Sequence, residues 1–155
     1  MPEAPINIRV ALPHDTRGIL NVILPIQREE FGIAITAADQ PDLQDILSFY
    51  HTGNGGFWIA TAESKIVGTI GLKDIGNAQG ALRKMFVVAE YRGKEHGVAN
   101  SLLQTLLEHA YGQGLTHIFL GTTDKFLAAH RFYEKNGFVE IAKADLPPAF
   151  PVMGR

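Results

Sequence analysis

The chain has 155 residues, 46% of them hydrophobic and 19% charged, with a formal net charge of -2. That is enough for one domain with a real core, and a slightly acidic balance without a basic stripe argues against a nucleic-acid surface. Cysteine is absent, which excludes disulfides, thiolate zinc sites and cysteine nucleophiles. The N-terminal MPEAPINIRV has neither the basic segment nor the apolar core of a signal peptide, and no apolar run reaches membrane-spanning length. A soluble cytoplasmic protein with no membrane partner is the expectation.

Taken in order, Ile6, Ile8 and Val10 alternate with polar residues and predict a first strand that ends by Pro13. Asp15 and Thr16 are suited to cap a helix carrying Ile19, Leu20, Ile23 and Leu24 and closing near Pro25. From Gln27 to Gln40 no period emerges, and this irregular stretch, with Glu30 and Phe31 in it, is a candidate wall for a substrate pocket. Pro41 opens a second helix, Asp42 to Tyr50, with Leu43, Ile46, Leu47 and Tyr50 on one face. Two strands follow, 57–62 and 65–72, joined by a tight turn at Glu63-Ser64. Asp74 to Gly80 is expected to break the pattern before a strand over 81–88.

That strand leads into the stretch that carries most information. Met85, Phe86, Val87 and Val88 are followed by a polar loop with Arg92, Gly93, Lys94 and Gly97, and then by a helix. Val98, Leu102, Leu103, Leu106, Leu107 and Ala110 share one face of it. Strand, glycine-bearing turn and helix N-terminus make an anion cradle, because amides at a helix start lack partners and the helix dipole favours negative charge there. The loop is read as a pyrophosphate site. The helix should stop at Gly112-Gln113-Gly114. A short buried strand over 117–121, a helix from 126 to 135, a strand over 138–141 and a proline-rich tail complete the chain. The six histidines (His14, His51, His96, His109, His117, His130) show no metal-binding spacing, so no metal is expected.

The order β-α-α-β-β-β-α-β-α-β, together with two motifs, resembles the GNAT superfamily of acyl-CoA-dependent N-acyltransferases over most of the chain. Lys94-Glu95-His96-Gly97-Val98-Ala99 is similar to that family's Q/R-x-x-G-x-G/A loop, and Ala129, Tyr133, Glu134, Lys135, Gly137 and Phe138 match A-x-x-x-Y-E-K-x-G-F. The resemblance implies an α/β fold of the α+β kind: one domain over 1–155, with a mixed, mostly antiparallel sheet of six to seven strands and helices on both faces. It implies acetyl-CoA as cosubstrate, held by Met85, Phe86, Val87, Arg92, Gly93, Lys94, Glu95, His96, Gly97, Val98, Ala99, Asn100, Phe126 and Ala129. Tyr133 would be the general acid for the departing thiolate, amides around Met85 to Val87 the oxyanion donors, and Glu30 and Phe31 the acceptor contacts.

Departures from the pattern are equally specific. The segment between Val87 and the cradle glycine is about two residues longer than the commoner form, so Gly93 and Gly97 both remain candidates for the pyrophosphate contact. Lys94 stands where Gln or Arg is usual, Ala81 where many members carry a glutamate base, and Phe126 where an asparagine is common. The expected function is N-acetylation of a small-molecule or amino-acid-like amine. The alternatives are a protein or peptide N-acetyltransferase and a non-catalytic CoA-binding module. A nucleotide P-loop is excluded by the lack of G-x-x-x-x-G-K-[ST]. An incomplete sheet edge makes a homodimer the expected assembly.

Overall fold

The computed structural model of the chain describes residues 6–30, 32, 34–92, 97–120, 133, 135 and 138. Among these, five strands form one sheet in chain order: β1 (Ile6–Val10), β2 (Gly56–Ala62), β3 (Lys65–Gly76), β4 (Gln79–Val87) and β5 (His117–Phe119). Neighbours run antiparallel except β4 and β5, which are parallel. The fold is mixed α/β as expected, but the described sheet has five strands rather than six to seven. The expected helix 126–135 and strand 138–141 lie outside the described residues, save Tyr133, Lys135 and Phe138.

Alternation along the strands divides the core into two layers. Phe57 and Ile59 of β2 face one way, into Ile19 and Ile23 of α1 (Thr16–Pro25), Leu43 of α2 (Pro41–Gln44), and Ile46 and Tyr50 of α3 (Ile46–Tyr50). Trp58, Ala60, Ile70, Leu72, Leu82 and Val87 face the other way, into Val98, Leu102, Leu103 and Leu106 of α4 (Val98–Gly112). Each fully buried aliphatic side chain contributes about 1.5–3 kcal/mol. Seating α4 this closely requires Gly68 on β3, where an added Cβ would stand 2.9 Å from Leu102 and 3.1 Å from Val98.

Four expectations change. Asp15 is the N-cap of α1 but makes no capping bond. Its carboxylate turns back, accepting from the Leu12 amide (2.7 Å) and from both terminal nitrogens of Arg9 (2.8 and 3.0 Å). The helix over 42–50 is two helices, because Asp45 leaves helical geometry (φ -145°) and its side chain accepts from the Ser48 amide. Residues 74–80 are not a break: β3 and β4 continue to a two-residue turn in which Asn77 and Ala78 are both left-handed, the geometry that matches hairpin twist. Finally, β5 is three residues long and half-buried rather than buried. The turn at Glu63-Ser64 and the end of α4 stand as expected, with Gly114 at φ +81°.

No helix among the described residues is long and apolar enough to cross a membrane.

Candidate functional site

The site grows from an irregularity in β4. Thr69 pairs with Phe86 and Gly71 with Arg83, so three steps along β4 match two along β3, and one residue of β4 bulges. Lys84 takes the bulge with φ +55°. For a residue with a Cβ this left-handed conformation costs about 1–2 kcal/mol, and such strain concentrates where function over-determines the backbone. The bulge also breaks alternation. Arg83 lies over the Phe49 ring on the α1–α3 side, and Lys84 points to that side as well, while Met85 returns to the α4 side.

On the first side Lys84 enters a buried polar cluster. Its Nζ donates to Gln40 Oε1 at 2.6 Å and lies 3.8 Å from Asp42 Oδ2. Asp42 Oδ2 accepts the Tyr50 hydroxyl (2.6 Å), and Gln40 and Gln27 exchange amide bonds at 3.0 and 3.1 Å. All five residues are buried. Burial lowers the Lys84 pKa, partly opposed by Asp42, and burial raises that of Tyr50, with Asp42 adding to it. Removing one partner of a buried ion pair costs about 3–5 kcal/mol, because the other is left uncompensated. Asp42 is thus committed to the interior.

On the second side Met85 meets the hydroxyl of Tyr133, which donates to its sulfur at 3.3 Å. The Tyr133 ring packs edge-on to Phe138, with centroids 5.5 Å apart, and burial raises its pKa. The phenol therefore carries its proton throughout the physiological range. Parallel pairing of β4 with β5 covers only Gln79 to Ala81. From Leu82 to Val87 no described strand pairs with that edge.

Beyond β4 the chain folds back on itself. Arg92 donates its Nε to the Val87 carbonyl (2.8 Å) and pairs through both terminal nitrogens with Glu30, at 2.7 and 2.9 Å. Glu30 ends a π-helical turn, Ile26–Glu30, that extends α1. The expected cofactor arginine and acceptor-side glutamate are therefore brought together, each partly exposed. Gly97 is the N-cap of α4 in left-handed geometry (φ +67°), with no described residue within 4 Å of where a side chain would project. The first helical amide bond runs from Ser101 to Gly97 O (2.9 Å), so the amides of Val98, Ala99 and Asn100 precede the ladder without a side-chain cap. The Val98 side chain is core, Ala99 half-buried and Asn100 exposed. Met85 and Phe86 are half-buried and Val87 buried. Phe31, Gly93, Lys94, Glu95, His96, Phe126 and Ala129 lie outside the described residues.

The arrangement has the parts for acyl transfer: backbone amides at a bulge, a protonated phenol beside them, and a helix start able to receive an anion. Sequence reasoning missed the Lys84 cluster, whose members are spread over 58 positions from Gln27 to Lys84 with no motif spacing.

Comparison with known proteins agrees with this geometry. Residues 20–138 match the acetyltransferase (GNAT) family model. N-acetylaspartate synthetase of Xenopus tropicalis is 37% identical over 111 residues, covering 69% of this chain and 40% of that protein. A GNAT-family acetyltransferase of Staphylococcus aureus Mu50 superposes with a TM-score of 0.92 at 40% identity, covering 97% of this chain and 95% of that one. The PaiA N-acetyltransferase of Thermoplasma acidophilum, solved in complex with coenzyme A, shares the fold (TM-score 0.72, 20% identity, 87% of this chain and 90% of that one). The chain spans less than half the length of the curated relatives it matches.

Proposed function

This chain belongs to the GNAT acetyltransferase family, and we propose that it transfers an acetyl group from acetyl-CoA directly to the primary amine of a small, amino-acid-like acceptor. One observation carries the reading. The Tyr133 hydroxyl is aimed at Met85, the residue next to the bulge, on the stretch of β4 beyond Ala81 that no described strand pairs.

In this reading the β4 edge holds the pantetheine arm and an amide near Met85 polarises the thioester carbonyl. The amine attacks the carbonyl carbon, the carbon–sulfur bond breaks, and Tyr133 gives its proton to the leaving thiolate. The pyrophosphate sits on the amides of Val98 to Asn100, with Gly97 allowing close approach and Arg92 adding charge. Gly93, Lys94, Glu95 and His96 complete that cradle, and Phe126 and Ala129 border the cofactor, as the family motifs imply. The acceptor enters against the segment around Glu30 and Phe31. The N-acetylaspartate synthetase relative supports an amino-acid-like amine.

A second reading, a CoA-binding module without efficient chemistry, is favoured by Ala81. It is fully buried in β4 and provides no base where many family members carry a glutamate.

The test is a thermal-shift titration with acetyl-CoA, CoA and ATP, followed by thiol release over a panel of amines. Ligand at a hundredfold excess over Kd should stabilise the chain by about 2.7 kcal/mol. Stabilisation by acetyl-CoA, with thiol released by an amino acid or other small amine, is the expected result. Binding without release from any amine would move the second reading ahead, and no shift with either cofactor form would remove both.

A further inference from the structure

Lys84 sits oddly for a residue with no stated role. It occupies a left-handed bulge, where glycine or asparagine adopts the same φ at lower cost. Its side chain nevertheless runs into the α1–α3 layer, to bond Gln40 and face Asp42, with Gln27 and Tyr50 closing the cluster. Every buried side-chain nitrogen and oxygen among the described residues has a partner. Well-packed apolar residues generally serve stability as well as a buried ion pair does. A satisfied polar cluster instead selects one arrangement of the groups it joins.

The main chain of Lys84 is held independently. Its carbonyl accepts the buried hydroxyl of Thr69 on β3 at 2.7 Å. The bulge is thus fixed from two directions, by a tether into the helical layer and by a bond across the sheet. The next residue is Met85, whose sulfur receives the Tyr133 hydroxyl on the opposite face.

We propose that Lys84 is a positioning residue for acyl transfer: tether and Thr69 bond together hold the bulge, and so fix the Met85 main chain against Tyr133 and the thioester. In its kinetic part this rests on the acetyl-transfer reading above. The cluster also makes the acceptor-side segment, through Gln27, Gln40 and Asp42, a direct support of the strand that carries the chemistry.

Two variants test it. Thr69→Val removes the hydroxyl at constant shape, and Lys84→Met/Asp42→Asn removes both charges of the pair together, leaving no buried ion alone. For each, kcat and KM for acetyl-CoA are measured by thiol release, and the backbone amide and Cα shifts of residues 84–86 by NMR. In both variants kcat should fall ~10-fold or more, as misplacement of reacting groups produces. KM for acetyl-CoA should stay within ~2-fold, and the shifts at 84 and 85 should leave their parental values. A folded variant with parental kcat and parental shifts overturns the proposal. If the double variant does not fold, Thr69→Val decides alone. If the parent releases no thiol with any amine, the acetyl-transfer reading fails, but the shifts still decide whether the bulge is held. Movement upholds the tether and unmoved shifts overturn it.

Discussion

Arg92 and Glu30 face each other in a two-pronged ion pair, 2.7 and 2.9 Å long, between the loop after β4 and the π-helical end of α1. The pair joins the cofactor loop to the acceptor-side segment, and it occupies two guanidinium nitrogens that the proposed pyrophosphate would share. Both side chains are more than a third exposed, so the pair itself is worth about 0–1 kcal/mol.

Glu30→Gln should therefore leave the melting temperature almost unchanged while releasing Arg92 toward the cofactor. Affinity for acetyl-CoA should rise roughly threefold, the equivalent of one surface pair. Arg92→Ala should weaken it, with a shallower salt dependence than the parent because one cationic contact is gone. Calorimetric titration at two ionic strengths checks both. Equal affinity in all three proteins would remove Arg92 from the cofactor site.

Tyr133→Phe keeps the ring against Phe138 and deletes only the hydroxyl that reaches Met85. Turnover should fall ~10-fold or more, with acetyl-CoA affinity little changed, as expected when a general acid is lost. Parental turnover in the variant would end the assignment.

His51 gives the fold a pH dependence of its own. Its Nε2 accepts the Phe57 amide at 3.2 Å, and burial, with His109 adding to it, lowers its pKa from the ordinary 6.5. The unfolded chain therefore takes up a proton at His51 before the folded one does. Stability contributed by the neutral ring is complete above pH 6.5 and is lost as pH falls from there through the lowered folded value. His51→Gln, whose amide oxygen can take the place of Nε2, should flatten that loss. Melting curves from pH 7.5 down to 5 compare the two proteins, and parallel curves would exclude His51 as the cause.

Gly97 tests the helix start by backbone conformation alone. No described residue lies within 4 Å of where its Cβ would be, so Gly97→Ala should cost about 1–2 kcal/mol through φ. Gly97→Asn should cost less, because asparagine tolerates the left-handed region. Urea unfolding midpoints should order Gly, Asn, Ala, and equal midpoints would mean the glycine is not needed for its φ.

How far the sequence reached follows the range of each signal. The face of α4 was legible in Val98, Leu102, Leu103 and Leu106 because a 3.6-residue period is local. The hairpin at Glu63-Ser64 was legible for the same reason. The continuation of β3 to Gly76 was not, since glycine and asparagine mark a tight hairpin turn and a loop alike. Nor was the break at Asp45, where one side-chain bond to Ser48 overrides a good helical pattern. At the site, Tyr133 and the β4 segment came from motifs. The Lys84 bulge depends on a register between strands, and the cluster beneath it joins residues 27 to 84, so neither leaves a local trace. The Arg92–Glu30 pair spans 62 positions and was equally silent.

The chain has one tryptophan. Trp58 is buried in the α4 layer, its ring edge-on to His109 at 5.0 Å, while His109 reaches the Asn54 carbonyl at 3.0 Å. Selectively excited tryptophan fluorescence, set apart from that of the four tyrosines, is therefore a one-site optical probe placed under the C-terminal half of α4. It will report lifting of that helix from the sheet. It is blind to loosening in the α1–α3 layer, so a fluorescence melt and a far-ultraviolet dichroism melt need not coincide. A gap between them would measure how independently the two faces of the sheet let go.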